Sequence, residues 1–144
     1  MKKVYILTNF NNYLKSYSPI IVVGEQLKMF LRAGYKPVLI VSEGWEAPED
    51  SVFAKVETKH TIAANVSNEA VVDEFFHSEV ETLYENLRDI LPNECVVITH
   101  DLIFLPDYVK HNVAARRLAD EKPDISWLHW IHSATSPYSL IEER

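Results

Sequence analysis

At 144 residues the chain is long enough for one domain with a substantial core, and nothing in its length suggests two. A composition of 47% hydrophobic and 24% charged residues disfavours both disorder and a membrane span. With 21 acidic against 14 basic residues the net charge is -7, and apart from Arg116 and Arg117 the basic side chains are scattered, so no phosphate-tracking stripe exists and nucleic acid is not an expected partner.

The N-terminal "MKKVYILTNF" carries two lysines ahead of apolar residues. Its apolar part is only about half a dozen residues long, shorter than a signal core, and no small-residue cleavage site follows, so a first strand in a cytoplasmic protein is expected. "KVYILT" is a short β-favouring run bounded by polar residues, the pattern of a strand buried on both faces of a parallel sheet. After the loop "NFNNYLKSYS", Pro19 suits the first turn of a helix that Ser18 caps and Gly34 ends, with Val23, Leu27, Phe30 and Leu31 at helical spacing. "KPVLIVSEG" is a second buried strand, so residues 3 to 42 form a strand, helix, strand unit with a right-handed crossover.

Beyond the loop "WEAPEDS", the stretch "VFAKVETKH" is predicted as a more exposed third strand. Residues 63 to 92 are predicted as one long helix or a pair, ending at Pro92, with a charged face in solvent. "ECVVITHD" then predicts a strand, "LPDYVKHNVAARRLADEKP" a helix and "ISWLHWIHS" a final strand, and "SLIEER" begins what looks like another helix. The fold class expected for residues 1 to 144 is therefore a single α/β Rossmann-like three-layer domain with a mainly parallel sheet. Cys95, beside the strand "VVITH", is expected to behave as a small buried hydrophobe, and a lone cysteine fits a reducing compartment.

In such sheets ligands bind beyond the carboxyl ends of the strands. The first strand is followed there by Thr8, Asn9 and Phe10, the second by Ser42 and Glu43, the fourth by His100 and Asp101, and the last by His132, Ser133 and Thr135. Ser42 and Glu43 are explained by the polarity of loops in general. His100 and Asp101 are different, because an imidazole and a carboxylate at the end of an apolar run suit a hydroxylated ligand or a proton transfer, although Asp101 equally suits a helix cap or an Asx-turn.

Strand alternation puts Leu128, Trp130 and His132 on one face and Trp127, His129 and Ile131 on the other. The rings of His129 and His132 therefore diverge, which disfavours a zinc site, and His129 is expected to pack in the core or against a helix. The three glycines form neither GxGxxG nor GxxxxGK[ST], so a self-contained dinucleotide or nucleoside triphosphate site is disfavoured. A G-x-S-x-G elbow is absent too. The aromatic residues of "NFNNYLKSYS" form either a stacking wall for a sugar or base, or packing internal to the loop.

Three motifs together, "LKMFLRAGYKPVLIVSE", "VVITHD" and "WIHSA", give the chain a resemblance to the N-terminal Rossmann-like domain of GT-B fold glycosyltransferases, especially the retaining family-four type that is also similar to bacterial glycogen synthase. The resemblance implies His132 as the catalytic-site histidine near the transferred sugar, and His100, Asp101, Asn9 and Ser133 as substrate-binding residues. It further implies a nucleotide-sugar donor, a sugar or glycan acceptor, no metal and no resident cofactor. Where the family places paired glycines near the diphosphate, this chain has "NNYLKSYSP". The donor pocket of that family lies in a C-terminal domain, so the chain is expected to be the acceptor-side half, completed by a second domain or a partner subunit, with no transmembrane segment. The rival expectation is a stand-alone α/β binding or protein-interaction domain that shares only the fold plan. A small hydrolase using His100, Asp101 and His132 is a weaker third, since no nucleophile is evident.

Overall fold

The computed structural model describes residues 2–64, 75–103 and 108–132. Five strands, β1 (Val4–Leu7), β2 (Val38–Ser42), β3 (Glu57–Thr61), β4 (Cys95–His100) and β5 (Ile125–Trp130), form one sheet in the order β3-β2-β1-β4-β5. Every neighbouring pair is parallel. The helices among the described residues are α1 (Ser18–Arg32), α2 (Phe76–Ile90) and α3 (Val109–Glu121).

The chain moves one way across the sheet from β1 through β2 to β3, and the other way from β1's far side through β4 to β5. Right-handed crossovers in opposite directions put their helices on opposite faces. Accordingly α1 covers one face, where Ile20, Val23 and Leu27 pack on Val4, Ile6, Leu39 and Ile98. On the other face α2 and α3 bring Leu83, Leu87, Ala114 and Leu118 against Leu7, Ile40 and Val97. The result is the Rossmann-like three-layer α/β domain that the alternating pattern predicts. Among the described residues, no helix is long and apolar enough to cross a membrane.

β1 and β2 are buried along their whole length, as all-apolar strands in the middle of a parallel sheet must be. β5 is an edge strand, and Ile98 and His100 of β4 register with Leu128 and Trp130 of β5, so these two point to the α1 face. One helix does not reach that far: Leu128 is 56% and Trp130 48% exposed.

Three local expectations need correction. The stretch predicted as a third strand divides into a 3-10 turn at Val52–Lys55 and the strand β3. Phe53 is the reason, because the turn rotates its ring into a cluster with Tyr13 and Trp45, at 5.9 and 5.5 Å between centroids. Ser18 is not the cap of α1 but its first residue; Tyr17 takes the extended cap position and makes no side-chain capping bond. His129 is exposed rather than in the core, and its Nδ1 lies 2.7 Å from Thr99 Oγ1. In the predicted segment 63 to 92, α2 accounts for the C-terminal half, while residues 65–74 lie outside the described residues.

Candidate functional site

β1 and β4 are neighbours whose onward connections run in opposite directions, which makes the gap between their carboxyl ends the switch point of the sheet. The segments that leave the strands at this edge build the site. After β1, Thr8 Oγ1 donates to the Ile40 carbonyl at 2.8 Å and accepts from the Phe10 N–H at 3.3 Å. Ser42 holds the same turn, its N–H donating to Phe10 O at 2.9 Å and its hydroxyl to Asn9 O at 3.2 Å. Thr8 and Ser42 thus shape the loop, and Asn9 lines the cleft.

After β4 the backbone turns sharply. Asp101 has φ 64°, in the left-handed region that non-glycine residues seldom enter, though aspartate tolerates it better than most. Its N–H donates to Trp130 O at 2.9 Å, and its Oδ1 accepts the His132 N–H at 2.7 Å. One carboxylate therefore ties the exit of β4 to the segment after β5. This is a third role for Asp101, distinct from a helix cap or direct ligand binding, and it fixes where His132 sits.

The two imidazoles meet. His100 Nδ1 lies 2.7 Å from His132 Nε2, and His100 Nε2 lies 2.7 Å from Gln26 Oε1 on α1. Trp130 stacks against His100, with centroids 6.0 Å apart. His100 is only 5% exposed. Burial pushes its pKa down to about 4, the neighbouring His132 acts in the same direction, and the Asp101 carboxylate opposes the drop. His100 is consequently neutral at pH 7.

A cleft of about 470 Å³ opens over this group, lined among others by Asn9, Tyr17, Tyr108, His100, Asp101 and His132. The N-terminus of α1 points its first turn here, with no acidic residue in that turn. The phenol of Tyr17 is kept protonated by burial, with Tyr108 and Asp101 acting in the same direction. Among the described residues, neither lysine nor arginine lines the cleft. A larger groove of about 640 Å³ runs between α1 and residues 52–55, lined by apolar Ile20, Ile21 and Phe53 together with charged Lys15, Glu25, Lys28 and Asp50, and none of the residues singled out after the strands reaches it. The polar groups gather at the switch point instead.

Comparison of the chain with protein-family models, with curated proteins and with solved structures returns no match. The geometry of the site therefore stands by itself. His132, His100, Asp101 and Asn9, singled out by their position after strands, do converge on one cleft. Ser133 lies outside the described residues. Among the described residues no cluster of three or more histidine, cysteine, aspartate or glutamate side chains could hold a metal ion. β5 ends at Trp130, so His132 lies beyond the strand; its ring meets His100, while that of His129 meets Thr99.

The loop aromatics divide between the two roles considered for them. Phe10 and Tyr13 pack on Trp45, at 5.7 and 6.2 Å, and serve the loop itself. Tyr17 remains at the cleft mouth, edge-on to Phe10 at 6.3 Å. Cys95 opens β4 fully buried, and burial pushes its thiol pKa up, away from the thiolate form that a nucleophile needs. Sequence reading missed Gln26, which is 8% exposed and completes the histidine pair. Its signal was a polar residue on the apolar stripe of α1, between Val23 and Leu27.

Proposed function

We propose that the cleft binds a hydroxylated, sugar-like ligand and that the chain is the acceptor-side half of a two-domain glycosyltransferase of the GT-B kind, transferring sugar from a nucleotide-sugar donor. The observation that carries this reading is the meeting of His100, His132 and Asp101 with Asn9 at the sheet's switch point. His132 and the Asp101 carboxylate supply acceptors for ligand hydroxyls, and Tyr17 and Tyr108 supply an apolar edge for a sugar ring. His132 takes the central role, with His100 and Asp101 holding it and Asn9 lining the same cleft.

Transfer from a nucleotide sugar also needs positive charge at the leaving diphosphate. Among the described residues the cleft lining contains none from lysine or arginine, so that task falls to a second domain or subunit. The exposed apolar face of Leu128 and Trp130 beside the cleft suits such a neighbour. The 144 residues are accordingly proposed to be catalytically incomplete alone, and turnover by the purified chain with no added protein would refute that part.

The direct test is titration with uridine diphosphate glucose and with free glucose, following the His100 and His132 ring resonances by NMR. Saturable shifts at both rings in wild type, with the His100 shift weakened in His132→Ala, are the expected result. No response of either ring to these or to other sugars and sugar nucleotides would overturn the reading in favour of a stand-alone binding or interaction domain.

A further inference from the structure

Three side chains from three elements form a line: Gln26 on α1, His100 at the end of β4 and His132 after β5, joined by two contacts of 2.7 Å each. The first two are almost wholly buried, at 8% and 5% exposure. In such a place the proton positions are dictated by the neighbours, since a buried polar atom without a partner costs about 1–3 kcal/mol.

A carbonyl oxygen only accepts. Gln26 Oε1 therefore requires a proton on His100 Nε2. Because His100 is neutral, its single ring proton is then spent, and Nδ1 carries a lone pair. That lone pair requires a proton on His132 Nε2. A neutral His132 with its proton on Nε2 has its own lone pair on Nδ1.

We propose that Gln26 is a positioning residue that acts through His100 to fix the tautomer of His132, so that His132 offers Nδ1 to the cleft as a hydrogen-bond acceptor. The selection this imposes rests on the reading of the cleft as a ligand site: at neutral pH the site favours a ligand group that donates, a hydroxyl above all, over an anion. Should that hydroxyl pass its proton to Nδ1, the resulting imidazolium keeps its own Nε2 proton, which it donates to His100 Nδ1, and the ligand oxygen keeps the electron pair. His100, facing Asp101, His132, Trp130 and Gln26 in a desolvated setting, does not take the charge itself. The pair stores one extra proton, on the ring nearest the ligand.

The line is tested without any ligand, so its failure is distinct from failure of the glycosyltransferase reading. Long-range nitrogen–proton correlation on the whole chain at about pH 7.5, well above the ordinary histidine range, assigns each ring nitrogen as protonated or bare. The expected pattern is proton on Nε2 and lone pair on Nδ1 in both rings. In Gln26→Leu the His100 ring loses its anchor, and the separation between the two nitrogen shifts of His132 collapses toward an average. Gln26→Glu is expected to draw a second proton onto His100 and to reverse the line, leaving His132 with its proton on Nδ1. A wild type with His132 protonated on Nδ1 overturns the proposal, as does a folded Gln26→Leu whose His132 shifts are unchanged. If Gln26→Glu does not fold, wild type and Gln26→Leu still decide.

Discussion

Asp101 does two things at once, and substitutions separate them. Its backbone sits in the left-handed region, and its carboxylate accepts the His132 N–H at 2.7 Å. Asp101→Asn retains an acceptor and tolerates the backbone, so urea unfolding is expected to place it within about 1 kcal/mol of wild type. Asp101→Ala loses both and is expected to cost about 1–3 kcal/mol. Asp101→Gly relaxes the backbone but leaves His132 untethered, which gives an intermediate stability and no better cleft.

The buried histidines set a pH dependence. His100 and His111 both have pKa values lowered by burial from 6.5 to about 4. Between those two values the unfolded chain binds protons that the folded chain refuses. Stability is therefore full above pH 6.5 and falls as the pH drops, until the folded-state value near 4 is passed. Each histidine contributes a slope of up to roughly 1.4 kcal/mol per pH unit in that window. His111 Nε2 has no hydrogen-bond partner among the described residues. His111→Phe is accordingly expected to lower the acid sensitivity without loss at about pH 7.5, measured as urea midpoints across pH.

Between elements, Lys122, just beyond α3, reaches back to the end of α2. Lys122 Nζ donates to the carbonyls of Arg88 and Leu91 at 2.8 and 2.6 Å, closing the last turn of α2. Lys122→Met keeps the aliphatic stem and removes both bonds, an expected loss of about 1–2 kcal/mol in thermal or urea unfolding. Arg117 of α3 lies 3.9 Å over the Tyr84 ring of α2 and pairs with Glu81, and Lys110 of α3 pairs with Glu79 of α2 at 3.3 Å.

How much of this was legible depends on whether the signal was local. β1, β2 and β4 announce themselves as apolar runs, because a strand buried on both faces has no polar positions to disguise it. The ends of the strands placed His100, Asp101, Asn9 and His132 at one edge, which local pattern and the general rule for parallel sheets suffice to do. The 3-10 turn at Val52–Lys55 was not legible, since it forms to bury Phe53 against Tyr13 and Trp45, and Tyr13 is far away in sequence. Nor was the line through Gln26, whose partner His100 is 74 residues on. Lys122 likewise looks like any surface lysine until α2 is laid beside α3.

At the scale of the whole molecule the two faces of the sheet are unequal. Among the described residues two helices cover one face and a single helix the other, so β5 turns Leu128 and Trp130 outward with Ile131 beside them. Leu128→Asp is expected to leave the monomer's stability within about 0.5 kcal/mol, as exposed positions usually do. It is expected to reduce any concentration-dependent association seen by sedimentation velocity, and unchanged association would show that this face is not the adhesive one. The sheet has another property, which its all-parallel order imposes. Its five strands include no hairpin, so none of them can pair with the next by way of a tight turn. The most local ladder, β2 with β3, still spans the loop and 3-10 turn between them, β1 with β2 must enclose all of α1, and β4 must find β1 across the whole of β2, β3 and α2. Such a chain commits much entropy before any ladder rewards it, which puts refolding in milliseconds to seconds rather than microseconds. Amide hydrogen exchange should report the same hierarchy, slowest in β1, the central strand with two strands on each side, and fastest in β3 and β5, whose outer edges open without disturbing the centre.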